Sequence, residues 1–162
     1  MPIDNDLIKK IKDEFVLDWN GIHGYSHWMR VRENGLVLAK KTKANIEIVE
    51  LFAILHDSKR DNDGADVDHG KRAAEFIRSL KGNLIFLDEK DFDLLLFACE
   101  KHSDGLINAP VTIQTCWDAD RLDLGRVGIK PDPRYLCTTI ARDQKVIEWG
   151  YQRSLGITTR NL

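Results

Sequence analysis

The stretch from Ile46 to Leu55 is apolar at almost every position, and it ends abruptly in His56-Asp57. A segment this apolar reads as a helix buried on most sides, since a surface helix would keep one charged face. That reading demands other elements packed around it. It also carries an imidazole and a carboxylate, side by side, to the end of a buried helix. Ionisable groups rarely enter an apolar interior unless they are paired or bind a metal.

The rest of the chain carries helical periodicity as well. Leu7, Ile8, Ile11 and Phe15 recur at three- and four-residue steps, which marks one buried face. A turn with Gly21 and Gly24 precedes Ser26, the expected N-cap of a helix through Trp28, Val31, Leu36 and Leu38. A charged loop from Ser58 to Asp66 follows the His-Asp pair. Helices are expected next from Asp68 to Leu80, where Gly82-Asn83 stops the pattern, and from Asp88 to His102. Pro110 precedes a stretch from Val111 to about Leu124, whose β-branched start weakens its helical preference. Pro131 and Pro133 then break the chain before a last helix from about Tyr135 to Ser154. With no alternating strand pattern and no internal repeat, residues 1–162 read as one all-α globular domain. Its C-terminal helix is expected at about 135–154.

Composition excludes several classes. With 43% hydrophobic and 31% charged residues the chain suits an ordinary globule. A net charge of -2 gives no strong nucleic-acid or membrane-surface signal. No apolar run approaches the roughly 20 residues that span a bilayer. The N-terminal MPIDNDLIKKIKDEF lacks the apolar stretch of a secretory signal. Cys99, Cys116 and Cys137 are widely spaced, with no CxxC pair. They read as small core hydrophobes in a reducing compartment, which makes the cytoplasm the expected location.

Chemistry-bearing residues fall where helices are expected to begin or end. They are His27, His56, His69 and His102, with His23 in the glycine turn and Asp118 and Asp120 in Trp117-Asp118-Ala119-Asp120-Arg121-Leu122-Asp123. Imidazoles with carboxylates suit Zn²⁺, Mn²⁺, Fe²⁺ or Ni²⁺, and the absence of spaced thiolates disfavours a structural zinc site. Each residue alone also has an ordinary reading. A histidine can be a satisfied core group, and the carboxylates can cap a helix or pair with Arg121.

The order His27, His56-Asp57, Asp120, in the contexts HGYSHWMRV, LFAILHDSKR and DADRLD, resembles the HD superfamily. This is a group of all-α, metal-dependent phosphohydrolases with the pattern H…HD…D. The resemblance covers about His23 to Arg126. It implies a helical HD-domain bundle with His27, His56, Asp57 and Asp120 as ligands to a divalent ion (Mn, Co, Ni, Zn, Mg or Fe). His69 in VDHGKRAAEFI and His102 in ACEKHSDG are similar to the added ligands of relatives that hold two ions, bridged by the shared Asp. The alternatives are that His69 caps or packs beside its helix, and that His102 simply suits a helix C-terminus.

The implied reaction is hydrolysis of a small phosphorylated substrate, a nucleotide foremost, by a metal-activated water. Asp57 is expected to bind the metal and help place the nucleophile. Arg60 and Arg30 are expected to engage phosphate oxygens, and Lys59 to remain at the surface. Asp118 and Arg121 are read as orienting ligands from behind. His23 is a candidate substrate contact, and Trp28, Trp117 and Trp149 are read as core. Two further readings stand beside this one. HD proteins with the extra histidines include di-iron oxygenases, and a catalytically silent, metal-containing sensor is the third option. The C-terminal helix offers a lid or a homodimer surface.

Overall fold

The computed structural model describes residues 3–160 and 162. Seven α-helices and two short 3-10 turns make up the regular structure among these residues, and no strand forms. The helices are α1 (Asn5–Glu14), α2 (Tyr25–Thr42), α3 (Ile46–Leu55), α4 (His69–Leu80), α5 (Glu89–Lys101), α6 (Val111–Arg121) and α7 (Gln144–Ser154). Among the described residues no helix is long and apolar enough to cross a membrane.

The apolar helix α3 lies at the centre, packed against α2, α5 and α6. Ile48, Phe52, Ala53, Ile54 and Leu55 are fully buried on it. Side chains the size of Ile, Leu or Phe are each stabilised by roughly 1.5–3 kcal/mol relative to exposure. Asn45 starts α3 by accepting from the Glu47 amide at 3.0 Å, and its Nδ2 donates to Asp91 of α5 at 2.8 Å. The same cap therefore begins the helix and ties it to a neighbour.

Two glycines permit close helix approach. A Cβ on Gly35 of α2 would lie 2.4 Å from the Val49 Cγ1 methyl of α3. A Cβ on Gly70 of α4 would lie 2.5 Å from the Glu100 carbonyl oxygen and 2.9 Å from that of Cys99, both on α5. Only hydrogen fits at either contact, and the second one brings the start of α4 against the end of α5.

Several expected boundaries shift. The N-cap of α2 is Gly24 rather than Ser26, and α6 stops at Arg121, followed by a 3-10 turn at Leu124–Val127. The last helix begins at Gln144 instead of about Tyr135. Its expected first part is the 3-10 turn Pro133–Tyr135 and an irregular strap. Asp118 is the reason. Its buried carboxylate accepts from the Cys137 and Thr138 amides at 2.6 and 2.8 Å and from the Thr138 hydroxyl at 2.7 Å. Those contacts outcompete helix continuation in a segment already rich in β-branched residues. A small second core of Leu38, Leu122, Leu136, Ala141, Val146 and Ile147 then holds α7 against the body.

Candidate metal centre

Five helix ends meet at one place. His27 comes from the first turn of α2, His56 and Asp57 follow α3, His69 opens α4, His102 follows α5, and Asp120 sits in the last turn of α6. All are buried except Asp120, whose side chain is 15% exposed. The centre therefore meets solvent on the Asp120 side.

The imidazoles share one orientation. His56 Nδ1 donates to the Phe52 carbonyl at 3.1 Å, His102 Nδ1 to the Cys99 carbonyl at 2.7 Å, and His69 Nδ1 to the Asp66 carbonyl. A carbonyl only accepts, so each Nδ1 carries the proton and each Nε2 presents a lone pair. His27 Nδ1 donates to Asp123 Oδ2 at 2.7 Å. Burial and the Arg126 charge push the His27 imidazole down to about 4, so it is neutral at neutral pH.

The lone pairs converge. His27 and His56 bring their Nε2 atoms to 3.2 Å, and His69 and His102 bring theirs to 2.8 Å. Asp57 stands between the two pairs. Its Oδ2 lies 3.6 and 3.8 Å from His27 and His56 Nε2, and its Oδ1 lies 3.3 and 3.4 Å from His69 and His102 Nε2. Asp120 Oδ1 lies 3.4 and 3.6 Å from His27 and His56 Nε2. That oxygen is buried and has no hydrogen-bond partner among the described residues, which is costly for a carboxylate unless a cation satisfies it. Facing lone pairs and an orphaned carboxylate oxygen fit a divalent ion, and imidazole with carboxylate is the donor set of Mn²⁺, Fe²⁺, Co²⁺, Ni²⁺ or Zn²⁺. The ligand atoms of His27, His56 and Asp57 lie within 4.8 Å of one another, as do those of Asp57, His69 and His102.

Electrostatics favour the ionised carboxylates. Burial alone would raise Asp57, but it is held well below its ordinary value, and the His23 Nδ1 donor on its Oδ2 favours the ionised form. Burial likewise opposes ionisation of Asp120, yet it is held far below the usual carboxylate range, with the Arg126 guanidinium as the permanent cation beside it.

The other expected residues divide into those that join this centre and those that do not. His23 does, since its Nδ1 donates to Asp57 Oδ2 at 2.9 Å and its ring is buried. So does Arg60, whose Nη1 lies 3.3 Å from His69 Nε2 and 3.5 Å from Asp57 Oδ1. Its remaining donors brace the following loop at the Asn62 and Gly64 carbonyls. Lys59 pairs with Glu14 at 2.8 Å at the periphery.

Three expectations are corrected. Arg30 turns two of its donors, Nε and Nη2, to Asp123 at 2.6 and 3.0 Å rather than to the converging ligand atoms. Asp118 orients no histidine, because it is spent on the strap before α7. Arg121 turns away to the Tyr135 and Leu106 carbonyls at 2.8 and 2.7 Å. Successive helical residues point about 100° apart, so flanking Asp120 in sequence does not mean facing the same way.

Two residues were missed. Asp123 holds His27 from behind, and Arg126 places Nη2 3.8 Å from Asp120 Oδ1. Their signal was available, since Asp123 lies one helical turn after Asp120 and Arg126 one turn further.

No family model and no curated protein matches this chain. Among solved structures it is similar to a 1.45 Å crystal structure of a predicted HD superfamily hydrolase from an uncultured Thermotogales bacterium. The two are 25% identical with a TM-score of 0.71, over 96% of this chain and 88% of that one.

Proposed function

We infer that this chain, an HD-superfamily protein by its all-α fold and its H…HD…D order, is a metal-dependent hydrolase of small phosphorylated compounds, nucleotides foremost. The observation that carries this reading is the convergence of four Nε2 lone pairs on two ionised carboxylates, with Asp57 giving one oxygen to each histidine pair. His27, His56, Asp57 and Asp120 would hold one ion, and Asp57, His69 and His102 a second. A divalent ion in such a site lowers the pKa of water toward ~7 and polarises a phosphoryl oxygen.

The chain's own residues supply the rest. Asp57 and Asp120 are held below their ordinary values, with the His23 donor on Asp57 and the Arg126 cation beside Asp120. Arg60 stands beside the His69 half and Arg126 beside Asp120. Both guanidiniums are nearly buried, where a fixed cation offsets charge on phosphoryl oxygens far better than in water. Substrate approaches from the Asp120 side, the more exposed edge.

The test is turnover of nucleoside mono-, di- and triphosphates and simple phosphate esters by protein loaded with Mn²⁺, Co²⁺ or Ni²⁺. The expected result is metal-dependent hydrolysis that falls to background in His56→Ala. In Arg60→Ala it loses on the order of 10²-fold in kcat/KM, the scale of losing one preorganised charge-stabilising donor. Inactivity across the panel, unchanged by His56→Ala, would overturn the reading.

A di-iron oxygenase is supported by the same shared-Asp57 arrangement, and two irons per chain with substrate-dependent O₂ uptake would favour it instead. Specific ligand binding without turnover under every metal would favour the silent sensor.

A further inference from the structure

Of the four imidazoles whose Nε2 atoms converge, three take their tautomer from backbone carbonyls, through His56, His69 and His102. His27 takes its own from a side chain that arrives from the far side of the sequence. We propose that Asp123, clamped by Arg30, is the positioning residue that sets His27 in the one tautomer able to bind a divalent ion. The inference rests on the metal-dependent reading above.

Asp123 is fully buried. Its Oδ2 accepts from His27 Nδ1 at 2.7 Å and from Arg30 Nη2 at 3.0 Å, and its Oδ1 accepts from Arg30 Nε at 2.6 Å. Three donors point inward at a group that only accepts. The Arg30 fork engages both oxygens, which removes the freedom of the carboxylate to rotate. Asp123 also lies just past α6, so the turn that places Asp120 on one side of His27 places Asp123 on the other. Arg126 completes the frame, with Nη1 on the Asp123 carbonyl at 3.1 Å.

The consequence lies at Nε2. While Nδ1 donates, Nε2 keeps its lone pair toward His56, Asp57 and Asp120. Should Nδ1 have to accept instead, the proton of the neutral ring moves to Nε2, and that atom no longer ligates. An Asn at 123 sets up this conflict. Its amide offers one acceptor oxygen and one donor group to three inward donors, so either Arg30 disengages or His27 changes tautomer. The partner of a ligand histidine typically governs 10- to 100-fold in metal affinity.

Two measurements test this. The first is long-range ¹H–¹⁵N NMR of ¹⁵N-histidine-labelled wild-type protein, stripped of metal and then loaded with Zn²⁺. His27 is expected as the Nδ1–H form in both. The second is calorimetric titration with Mn²⁺ of wild type, Asp123→Asn and Asp123→Glu. Asp123→Asn is expected to bind about 10- to 100-fold more weakly, with an Nε2–H signal at His27 or a freed Arg30. Asp123→Glu, which keeps an acceptor-only group, is expected to recover part of the loss.

An Nε2–H tautomer at His27 in the stripped wild type would overturn the proposal, and this needs no variant to fold. So would wild-type Mn²⁺ affinity in a folded Asp123→Asn. Wild-type protein that binds no divalent ion would instead sink the metal reading itself, while the tautomer spectrum still decides the role of Asp123.

Discussion

His27 shows how burial sets the chemistry of a single residue here. In the metal-free protein its imidazole is held at about 4, against 6.5 for an ordinary histidine. As pH falls, the unfolded chain therefore takes up this proton first, and folding loses ground. The stability concerned is complete above about 6.5, drains between about 6.5 and 4, and amounts to on the order of 3 kcal/mol at most. Asp57 and Asp120, held below their ordinary values, extend the loss to lower pH in the same direction. Urea unfolding of chelator-stripped protein is expected to show a midpoint that falls from pH 7 to pH 5, with a shallower fall in His27→Gln. A flat profile in the wild type would count against this account. The histidines and Asp57 were legible in the sequence because ionisable groups stood out against an apolar helix. Asp118, Asp120 and Asp123 were harder to rank, since a run of alternating carboxylates does not reveal which way each one points. The fold sends Asp120 to the histidines, Asp123 behind His27, and Asp118 to the strap.

At the scale of elements, the second histidine pair depends on how closely α4 approaches α5. Gly70 follows His69 directly, and its missing Cβ is what lets the start of α4 lie against the Cys99 and Glu100 carbonyls. Gly70→Ala would meet backbone rather than a flexible side chain, so the helices must part. Overpacking of this kind costs about 1–3 kcal/mol, or a fall in Tm of about 2–12 °C for a domain of this size. The sharper expectation is selective: the ion held by Asp57, His69 and His102 weakens, and the one held by His27, His56, Asp57 and Asp120 persists. Calorimetric titration with Mn²⁺ separates the two, and equal affinity at both steps would contradict the link. Residue patterning gave α3, α4 and α5 to within one residue at each end, because each opens after an Asn or Asp and carries apolar residues to the core. It failed before α7, where Thr138 and Cys137 serve a buried carboxylate that no local pattern announces.

Across the whole molecule, α7 is fastened to the helices that carry the centre. Arg153 donates to Asn34 and Glu33 of α2, and Asn34 Nδ2 donates to the Ala119 carbonyl of α6 at 2.9 Å. Asn34 is fully buried, so Arg153→Ala leaves an unpaired acceptor worth about 1–3 kcal/mol. Thermal unfolding is expected to show that loss, with metal stoichiometry unchanged, because α7 supplies no ligand. Loss of metal without loss of stability would give α7 a different role. The all-α bundle was readable from the chain as a whole, and the joining of its six candidate ligand residues followed from their order more than from any one of them. The central claim is that Asp57 serves two histidine pairs and so two ions. Its most direct test is the metal content of Mn²⁺-loaded, dialysed protein, for wild type and for the His69→Ala/His102→Ala double variant. Two ions in the wild type and one in the double variant are predicted, whereas one in the wild type, or two in the double variant, would contradict it.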